Sequence, residues 1–279
     1  TLDRSSAASD VYKRQVYNWS KAMLNNSKTY IQSILKRSYG LGLFILSLHT
    51  MDLYGDSLHK TKNFIEEQNL FLPDARFQEL KGRVIKHLAN SWCSAQKAEM
   101  MMDVVFAIRP QVCVEIGVFN GSSVLPVAAT LRHLNAGCIY AIDAWSNNEA
   151  IKHMPATDPN FGWWSQVNMD NAKNKFTSLI KEWNLQSCCC VIHETSEFAV
   201  QRIPEIDFLH LDGNFCEEDA LMDVEIFLPR VKSGGYILLS NLFQVVDNQH
   251  TKMSSMWKLF DECEICLLYT SDAADERSS

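Results

Sequence analysis

From Gln111 onward, short apolar runs alternate with longer amphipathic stretches, and this alternation constrains the fold more than any other feature of the chain. Strands that are each followed by a helix are typical of βαβ units, in which crossover helices join parallel strands. The predicted strands are 112–116, 138–142, 188–192, 206–211 and 236–239. The predicted helices between and after them are 122–134, 165–183, 196–202, 217–227 and 251–263. The sequence therefore predicts an α/β fold with a doubly wound, mainly parallel sheet.

Composition agrees with a folded domain and excludes several classes of protein. The chain has 279 residues, 47% of them hydrophobic, and a formal net charge of −7 from 26 basic and 33 acidic side chains. That apolar content suffices for a large buried core, and it excludes a disordered or fibrous chain. Proteins that bind nucleic acid usually carry a basic stripe, and this acidic chain has no block rich in Lys and Arg.

The segment before the first strand is predicted to be a helical N-terminal extension. Helices are expected over 58–91, interrupted at Pro73, and over 94–108. Further upstream, Lys36 and Arg37 precede an apolar run that ends at Leu48, which is shorter than the 20 or so residues that span a bilayer. That run is either the apolar part of a secretory signal near 36–55 or a helix packed on the domain. The first alternative predicts export and the second a cytoplasmic protein.

Both ends of the chain resemble a translated sequencing adapter. The letters DVYKRQ end at Gln15, and CLLYTS begins at Cys266. We therefore expect residues 1–15 and 266–279 to be adapter-derived, with the extension at 16–90 and the main domain at 91–265. On this interpretation the domain is C-terminally truncated and lacks its last strands. The other eight cysteines include no C-x-x-C pair and are interpreted as small buried hydrophobic residues in a reducing compartment.

The motif with the clearest chemical meaning is VEIGVFNGSS at 114–123, where a buried strand ends on Glu115 and passes through Gly117 and Gly121 into a helix. Glycine permits a sharp turn and the close approach of a ligand or of another backbone. The spacing matches neither the dinucleotide-binding fingerprint nor a phosphate-binding loop. A carboxylate here suits an ammonium or sulfonium ligand better than a pyrophosphate, because its charge is opposite to theirs.

A second acid follows the next predicted strand, in the letters YAIDAW at 140–145. An acid at the end of the second strand accepts hydrogen bonds from ribose hydroxyls in nucleotide-binding α/β sheets, which gives Asp143 that expected role. Two acids at the predicted crevice, without a phosphate cradle, favour a nucleoside ligand that lacks phosphates.

These residues resemble the class I S-adenosylmethionine-dependent methyltransferases, and the resemblance extends through IDFLHLDGN at 206–214 and LPRVKSGGYILL at 228–239. It covers about residues 91–265 and is strongest to small-molecule O-methyltransferases related to the catechol and macrolide-sugar enzymes. The resemblance implies a Rossmann-like sheet and S-adenosylmethionine as cofactor. It places Glu115, Gly117 and Gly121 at the methionine end of the cofactor, Asp143 at the ribose, and Thr195 and Ser196 near the adenine, with Ser122 and Ala144 as further candidate cofactor-binding residues.

Relatives in that branch often hold Mg²⁺ or another divalent metal with carboxylates after the fourth and fifth strands, where the metal binds a substrate oxygen. The resemblance makes Asp212 and Asn241 the candidate metal ligands, although Ser240 stands where relatives commonly have an acid. Relatives also frequently have a histidine as general base directly after the Asp-Gly-Asn turn, where this chain has Phe215. His210 lies two residues before Asp212 and is the candidate replacement, with a hydrogen-bonded histidine inside the sheet as the alternative.

The predicted function is therefore methyl transfer from S-adenosylmethionine to a hydroxyl group of a small molecule, with Asp212 and His210 as candidate catalytic residues. The rival hypothesis is a cofactor-binding pseudo-enzyme in which Ser240 and Phe215 have removed metal-assisted catalysis. A third interpretation, an NAD-dependent oxidoreductase, is disfavoured by the glycine spacing. Trp163 and Trp164 are interpreted either as walls of the acceptor pocket or as core packing. The expected partner is a small-molecule acceptor, without nucleic acid or a membrane span, and a homo-oligomer is the candidate assembly.

Overall fold

A computed structural model describes residues 43–49, 74–214, 216–240, 245–246, 249–250 and 253–271. The strands are β1 Leu43–His49, β2 Val112–Ile116, β3 Cys138–Asp143, β4 Cys189–His193, β5 Ile206–Leu211, β6 Val231–Leu239, β7 Val245–Val246, β8 Gln249–His250 and β9 Glu264–Ser271. The α-helices are α1 Ala75–His87, α2 Ala95–Ile108, α3 Val124–Leu134, α4 Asn147–Ala150, α5 Phe161–Trp164, α6 Met169–Glu182, α7 Ser196–Ala199, α8 Glu217–Phe227 and α9 Met253–Glu262. Short 3₁₀ turns follow α7 at Val200–Arg202 and α8 at Leu228–Arg230.

The main sheet has seven strands in the order β4-β3-β2-β5-β6-β1-β9, and every pair in it is parallel. β2 lies between β3 and β5, with Glu115 opposite Ala141 on one side and His210 on the other. Sheets of this kind bind ligands in the crevice beyond the carboxyl ends of the strands, where the strand order reverses. The loops after β2, β3 and β5 therefore meet at one edge. β7 and β8 form a separate antiparallel pair.

The helices begin at polar caps and bury apolar faces. Asp74 accepts a hydrogen bond from the Phe77 backbone N–H at the start of α1, and Asn168 accepts one from Asn171 at the start of α6. α1, α2 and α3 pack against one another, and α8 packs against α9. The largest completely buried side chains include Phe77, Phe176, Phe208, Phe227 and three consecutive methionines, Met100, Met101 and Met102.

The parallel α/β sheet with flanking helices confirms the predicted Rossmann-like fold class. One segment differs from the prediction, because Leu43–His49 forms strand β1 where a helix was one of the two alternatives. Periodicity alone cannot separate a short, continuously apolar strand from a buried helix, and this run offers no polar alternation to decide. The use of the segment as a signal stays a prediction. β9 includes residues of the predicted adapter segment at 266–279. No helix among the described residues is long and apolar enough to cross a membrane.

Candidate functional site

The loop after β2 has a backbone that alternates into the left-handed region, at Gly117 (φ +84°), Phe119 (φ +48°) and Gly121 (φ +85°). A Cβ atom on Gly117 would lie 2.3 Å from the backbone carbonyl oxygen of Asp212, so the loop after β5 packs directly on this glycine. A Cβ on Gly121 would lie 2.2 Å from the ring of Phe176 on α6. The predicted close approach at Gly121 therefore occurs, and the group that approaches is an aromatic side chain of the protein.

Asp143, at the end of β3, fixes the geometry of two loops. Its Oδ2 accepts hydrogen bonds from the backbone N–H groups of Val118 (2.9 Å) and Phe119 (2.8 Å), and its Oδ1 accepts one from Trp145 (2.6 Å). Burial raises the pKa of the Asp143 carboxyl, and the three N–H donors oppose that rise because they favour the charged form. Asp143, the residue predicted to bind the ribose, is thus a partly buried carboxylate held at the edge of the sheet.

The other predicted cofactor residues lie around the same edge. Ser122 donates its hydroxyl to the side chain of Asn120 (2.6 Å), and the carbonyl oxygen of Ala144 lies 2.9 Å from Nε2 of His193. Thr195 precedes α7, where Ser196 is the first helical residue. The Thr195 hydroxyl oxygen is buried and has no hydrogen-bond partner among the described residues. An unsatisfied buried hydroxyl is energetically costly, so a ligand that bonded to it would relieve that cost.

Glu115 does not face the cleft in the described structure. Its side chain is completely buried, and its Oε1 accepts a hydrogen bond from the Ser123 hydroxyl at 2.5 Å. Its Oε2 lies 3.1 Å from Nδ1 of His210, which the β2–β5 register places directly opposite. This differs from the expected contact with the methionine end of the cofactor. The partner on β5 was not predictable, because the sequence does not state which strands are neighbours.

His210 is enclosed in the same network. It is completely buried, and its Nε2 lies 2.9 Å from the Ser240 hydroxyl and 3.5 Å from Oδ2 of Asp212. Because the imidazole is completely buried, it has no exposed face to offer an acceptor molecule. The geometry favours the alternative interpretation, a histidine hydrogen-bonded inside the sheet, over the candidate role as the base.

Asp212 has a cationic partner that sequence analysis missed. The ammonium of Lys97, on α2, lies 2.9 Å from Oδ2 of Asp212, and the lysine side chain is only 6% exposed. The ammonium supplies the positive charge that a metal would bring to that carboxylate. Ser240 supplies a hydroxyl directed at His210, and Asn241 and Phe215 lie outside the described residues.

The metal-ligand prediction does not fit these contacts. Divalent Mg²⁺ needs several oxygen ligands in near-octahedral geometry, usually including carboxylates. The part of the chain that the structure describes contains no group of three His, Cys, Asp or Glu side chains that could hold an ion. The one predicted carboxylate ligand, Asp212, is instead in a buried ion pair.

Four aromatic rings pack beside the β2 loop. Trp92 stacks on Phe119 with ring centroids 4.9 Å apart, and Trp163 and Trp164 contact both of those rings. The indole N–H of Trp145 donates to the carbonyl oxygen of Phe119 (2.7 Å), which supports the strained loop from the other side. Trp163 is 44% exposed, so this cluster offers apolar surface as well as packing.

Residues 114–242, which begin inside β2 and end just beyond β6, match the family model described as a methyltransferase domain. The match confirms the resemblance that the motif at the end of β2 indicated. A search of curated proteins returned no match.

The chain is also similar to solved structures at low identity. The O-methyltransferase from Bacillus cereus in complex with SAH is 15% identical, with a TM-score of 0.44, over 76% of this chain and 80% of that one. The SAH-bound Podospora anserina methyltransferase PaMTH1 is 15% identical, with a TM-score of 0.43, over 70% and 74%. TomG from Streptomyces achromogenes, an O-methyltransferase of tomaymycin synthesis solved with SAM, is 12% identical, with a TM-score of 0.42, over 68% and 75%.

Proposed function

We propose that the methyltransferase domain transfers a methyl group from S-adenosylmethionine to a hydroxyl group of a small molecule. The observation that carries this proposal is Asp143, a partly buried carboxylate held by three backbone N–H groups at the edge where class I sheets bind nucleosides. The adjoining loop has the glycine that its backbone requires, and the domain matches a methyltransferase family.

Three features support binding of the cofactor. Asp143 is the proposed acceptor of hydrogen bonds from the ribose hydroxyls, and the buried Thr195 hydroxyl, which lacks a partner among the described residues, is the proposed contact near the adenine. The loop at 117–121 offers backbone groups to the methionine end. The bound cofactor supplies the reactive methyl on a sulfonium, so the protein contributes mainly alignment and exclusion of water.

We infer that the transfer proceeds without a divalent metal. Lys97 already neutralises Asp212, and Ser240 replaces an expected carboxylate. The same two observations favour the second candidate, a cofactor-binding protein that has lost metal-assisted catalysis. The two candidates differ in whether bound cofactor is ever consumed.

Calorimetric titration of the full chain with S-adenosylhomocysteine and with S-adenosylmethionine tests the proposal. We expect both to bind, unchanged by MgCl₂. Asp143→Ala should weaken binding at least about tenfold, because it removes a hydrogen-bonded charged partner. Asp170→Ala is the matched control, an exposed acid in the first turn of α6, and should bind like the original chain.

The remaining outcomes separate the alternatives. Cofactor binding without any methylated product from catechol or other phenols favours the pseudo-enzyme. Binding of NADH without binding of S-adenosylhomocysteine would favour the oxidoreductase interpretation. We propose a cytoplasmic location, since S-adenosylmethionine is made there. If the full chain is expressed and a product cleaved near residues 36–55 is recovered from the medium, the protein is exported instead.

A further inference from the structure

A histidine and an acid meet where the connection between β3 and α6, residues 144–168, reaches the turn after β5. Nδ1 of His153 lies 2.7 Å from Oδ1 of Asp219, which is in the first turn of α8. Oδ2 of the same carboxylate accepts a hydrogen bond from the side-chain amide of Asn214 at 2.6 Å. Both oxygens of Asp219 are thus engaged, and the acid holds the imidazole ring in one orientation.

In a catalytic pair the acid is enclosed and the histidine is accessible, and the two side chains differ in exposure in this way. The side chain of Asp219 is 10% exposed and that of His153 is 39% exposed. Within the described part of the chain, no hydrogen bond involves Nε2 of His153. A histidine that donates from Nδ1 to a buried acid keeps its Nε2 lone pair available to accept a proton, as in the Ser-His-Asp arrangement.

The pair is connected through Asn214 to the loop proposed for the methionine end of the cofactor. Asn214 belongs to the turn that begins at Asp212, and that turn packs on Gly117 of the loop proposed for the methionine end. The amide of Asn214 also donates to the carbonyl oxygen of Glu149 (3.2 Å), so the connection is fastened to the turn at two points. Asp219, which belongs to the acidic first turn of α8, therefore also holds the connection and the turn together.

We propose that His153 is the general base of the methyl transfer, with Asp219 and Asn214 as positioning residues. This inference rests on the proposed function. Nε2 of His153 takes the proton from the acceptor hydroxyl, and the oxygen forms a bond to the methyl carbon. The bond from that carbon to sulfur breaks, its electron pair stays on sulfur, and S-adenosylhomocysteine and imidazolium are left.

Two other basic side chains near the site are less suited to this role. His210 is completely buried between Glu115 and Ser240, and Lys97 is paired with Asp212. Phe215, directly after the turn, cannot take a proton. The sequence has no base at position 215, and His153 provides one from a different loop.

Kinetics with two probe acceptors tests the role of His153. Catechol must lose a proton to react, whereas 4-nitrocatechol is already ionised near neutral pH. We expect His153→Gln to lower kcat for catechol by on the order of 10²-fold or more, with little change in KM, and to leave 4-nitrocatechol within about tenfold. Asp219→Asn should show the same selectivity with a smaller loss. Equal losses for both acceptors, or no loss for either, would overturn the proposal.

His133→Gln is the matched control. His133 is also a partly buried histidine, but it lies in the last turn of α3, the end of that helix away from the β2 loop, where its ring packs against Phe77 and Phe106. It should retain the kcat of the original chain for both acceptors. Circular dichroism of each variant identifies any change that comes from unfolding.

Nitrogen NMR of the side chain gives a readout that does not depend on turnover. In the full chain with S-adenosylhomocysteine, we expect neutral His153 to carry its proton on Nδ1 and its Nε2 signal to move when catechol is added. Asp219→Asn should redistribute the proton between the two nitrogens. If S-adenosylhomocysteine binds but the Nε2 chemical shift does not change on addition of catechol, the proposal for His153 is wrong and the proposed function is unaffected. If S-adenosylhomocysteine does not bind, the proposed function is wrong.

Discussion

At position 117, the backbone of the candidate site accepts only glycine. Its φ is +84°, and a Cβ at this position would lie only 2.3 Å from the Asp212 carbonyl oxygen, so both the conformation and the space exclude a side chain. We expect Gly117→Ala to lower the free energy of unfolding by about 1–3 kcal/mol, because strain and overlap act together. Urea unfolding followed by circular dichroism measures the change.

Gly82→Ala is the control for that experiment. Gly82 is exposed within α1, and a Cβ there meets no heavy atom within 4 Å. Alanine should therefore raise stability by about 0.4–1 kcal/mol through its higher helix propensity. Equal effects at the two glycines would show that the loop after β2 adjusts to a side chain.

The pair of Lys97 and Asp212 predicts strong coupling between two distant positions. Breaking a buried ion pair by removing one partner leaves an uncompensated charge, so Lys97→Met should cost about 3–5 kcal/mol. The double variant with Asp212→Asn should recover part of this loss. A double-mutant cycle in urea is expected to give a coupling free energy of about 1–3 kcal/mol.

The exposed pair of Lys152 and Glu149 is the control for the cycle. Its charged atoms are 3.8 Å apart and its side chains are 45% and 43% exposed. Surface pairs of this kind contribute at most about 1 kcal/mol. Similar coupling in both cycles would mean that Lys97 and Asp212 are effectively solvated. Residues 97 and 212 lie 115 positions apart, and nothing in either local sequence indicates the other.

At the scale of elements, one carboxylate joins the starts of three strands. Asp207, near the start of β5, accepts hydrogen bonds from the backbone N–H groups of Gln111 (2.9 Å) and Val112 (2.8 Å), at the start of β2. Lys232 of β6 donates to its other oxygen at 2.8 Å. These bonds set the relative positions of β2, β5 and β6 at the edge opposite the candidate site.

Asp207→Ala should therefore destabilise the sheet, by about 1–3 kcal/mol, because two backbone donors and an ammonium lose their acceptor. Partial burial opposes ionisation, yet the hydrogen bonds from Lys232 and the two N–H groups dominate and lower the pKa of Asp207. An acid whose pKa is lowered by folding stabilises the protein above its unfolded pKa. The difference between variant and original should thus shrink as the pH falls below about 4.

Urea titrations at pH 3 and pH 7 measure that difference. Glu205→Ala provides the control, since Glu205 is an exposed acid two residues away and makes no hydrogen bond to either strand. A loss of stability in Asp207→Ala that persisted unchanged at pH 3 would show that packing, and not the charge, is responsible.

The periodicity of apolar residues predicted the helices and strands well where the apolar pattern and the helix- or strand-breaking residues indicate the same boundaries. The bounds of β2, β5 and α8 match the prediction, and β3 differs by one residue. The helix predicted from 165 begins at Met169, because Asn168 is the capping residue and the preceding turn belongs to α5. β6 begins five residues before the predicted strand, because Val231 already pairs with Ile206; the register then shifts across Gly234 and Gly235, and regular pairing resumes at Tyr236.

The candidate site was predictable only in part. Local spacing located Glu115, Gly117 and Asp143 at the ends of strands, which is a property of the sequence around each residue. The directions of their contacts depend on strand order, and so the enclosure of Glu115 by Ser123 and His210 emerged only with the fold. The pair of His153 and Asp219 joins two loops and has no local sequence signal.

For the molecule as a whole, the buried thiols predict a loss of stability in alkali. Six of the eight cysteines whose side chains the structure describes are buried, and burial raises the pKa of Cys188 to about 11 and of Cys263 to about 12. In the unfolded chain these thiols ionise near pH 9, while in the folded protein they remain neutral. Their contribution is complete below about pH 9 and is lost as the pH rises toward the folded pKa.

We expect the free energy of unfolding to fall between pH 9 and 11, by up to about 1.4 kcal/mol per pH unit for each such thiol. Cys188→Ala should have a shallower dependence. Cys190→Ala replaces an exposed cysteine and should keep the slope of the original chain. Urea unfolding at half-unit pH steps gives the slopes, and identical slopes in all three proteins would contradict the expectation.

The pairing of β2 with β5 has a consequence for how the protein is made. A ribosome that has just completed Val112–Ile116 must add about 90 more residues before Ile206–Leu211 exists to cover the open edge of that central strand. At roughly 5–20 residues per second, this interval lasts on the order of 5–20 seconds. During that time the nascent chain exposes an apolar strand edge, which makes it a client for chaperones and leaves polypeptides that stop short of β5 prone to aggregate.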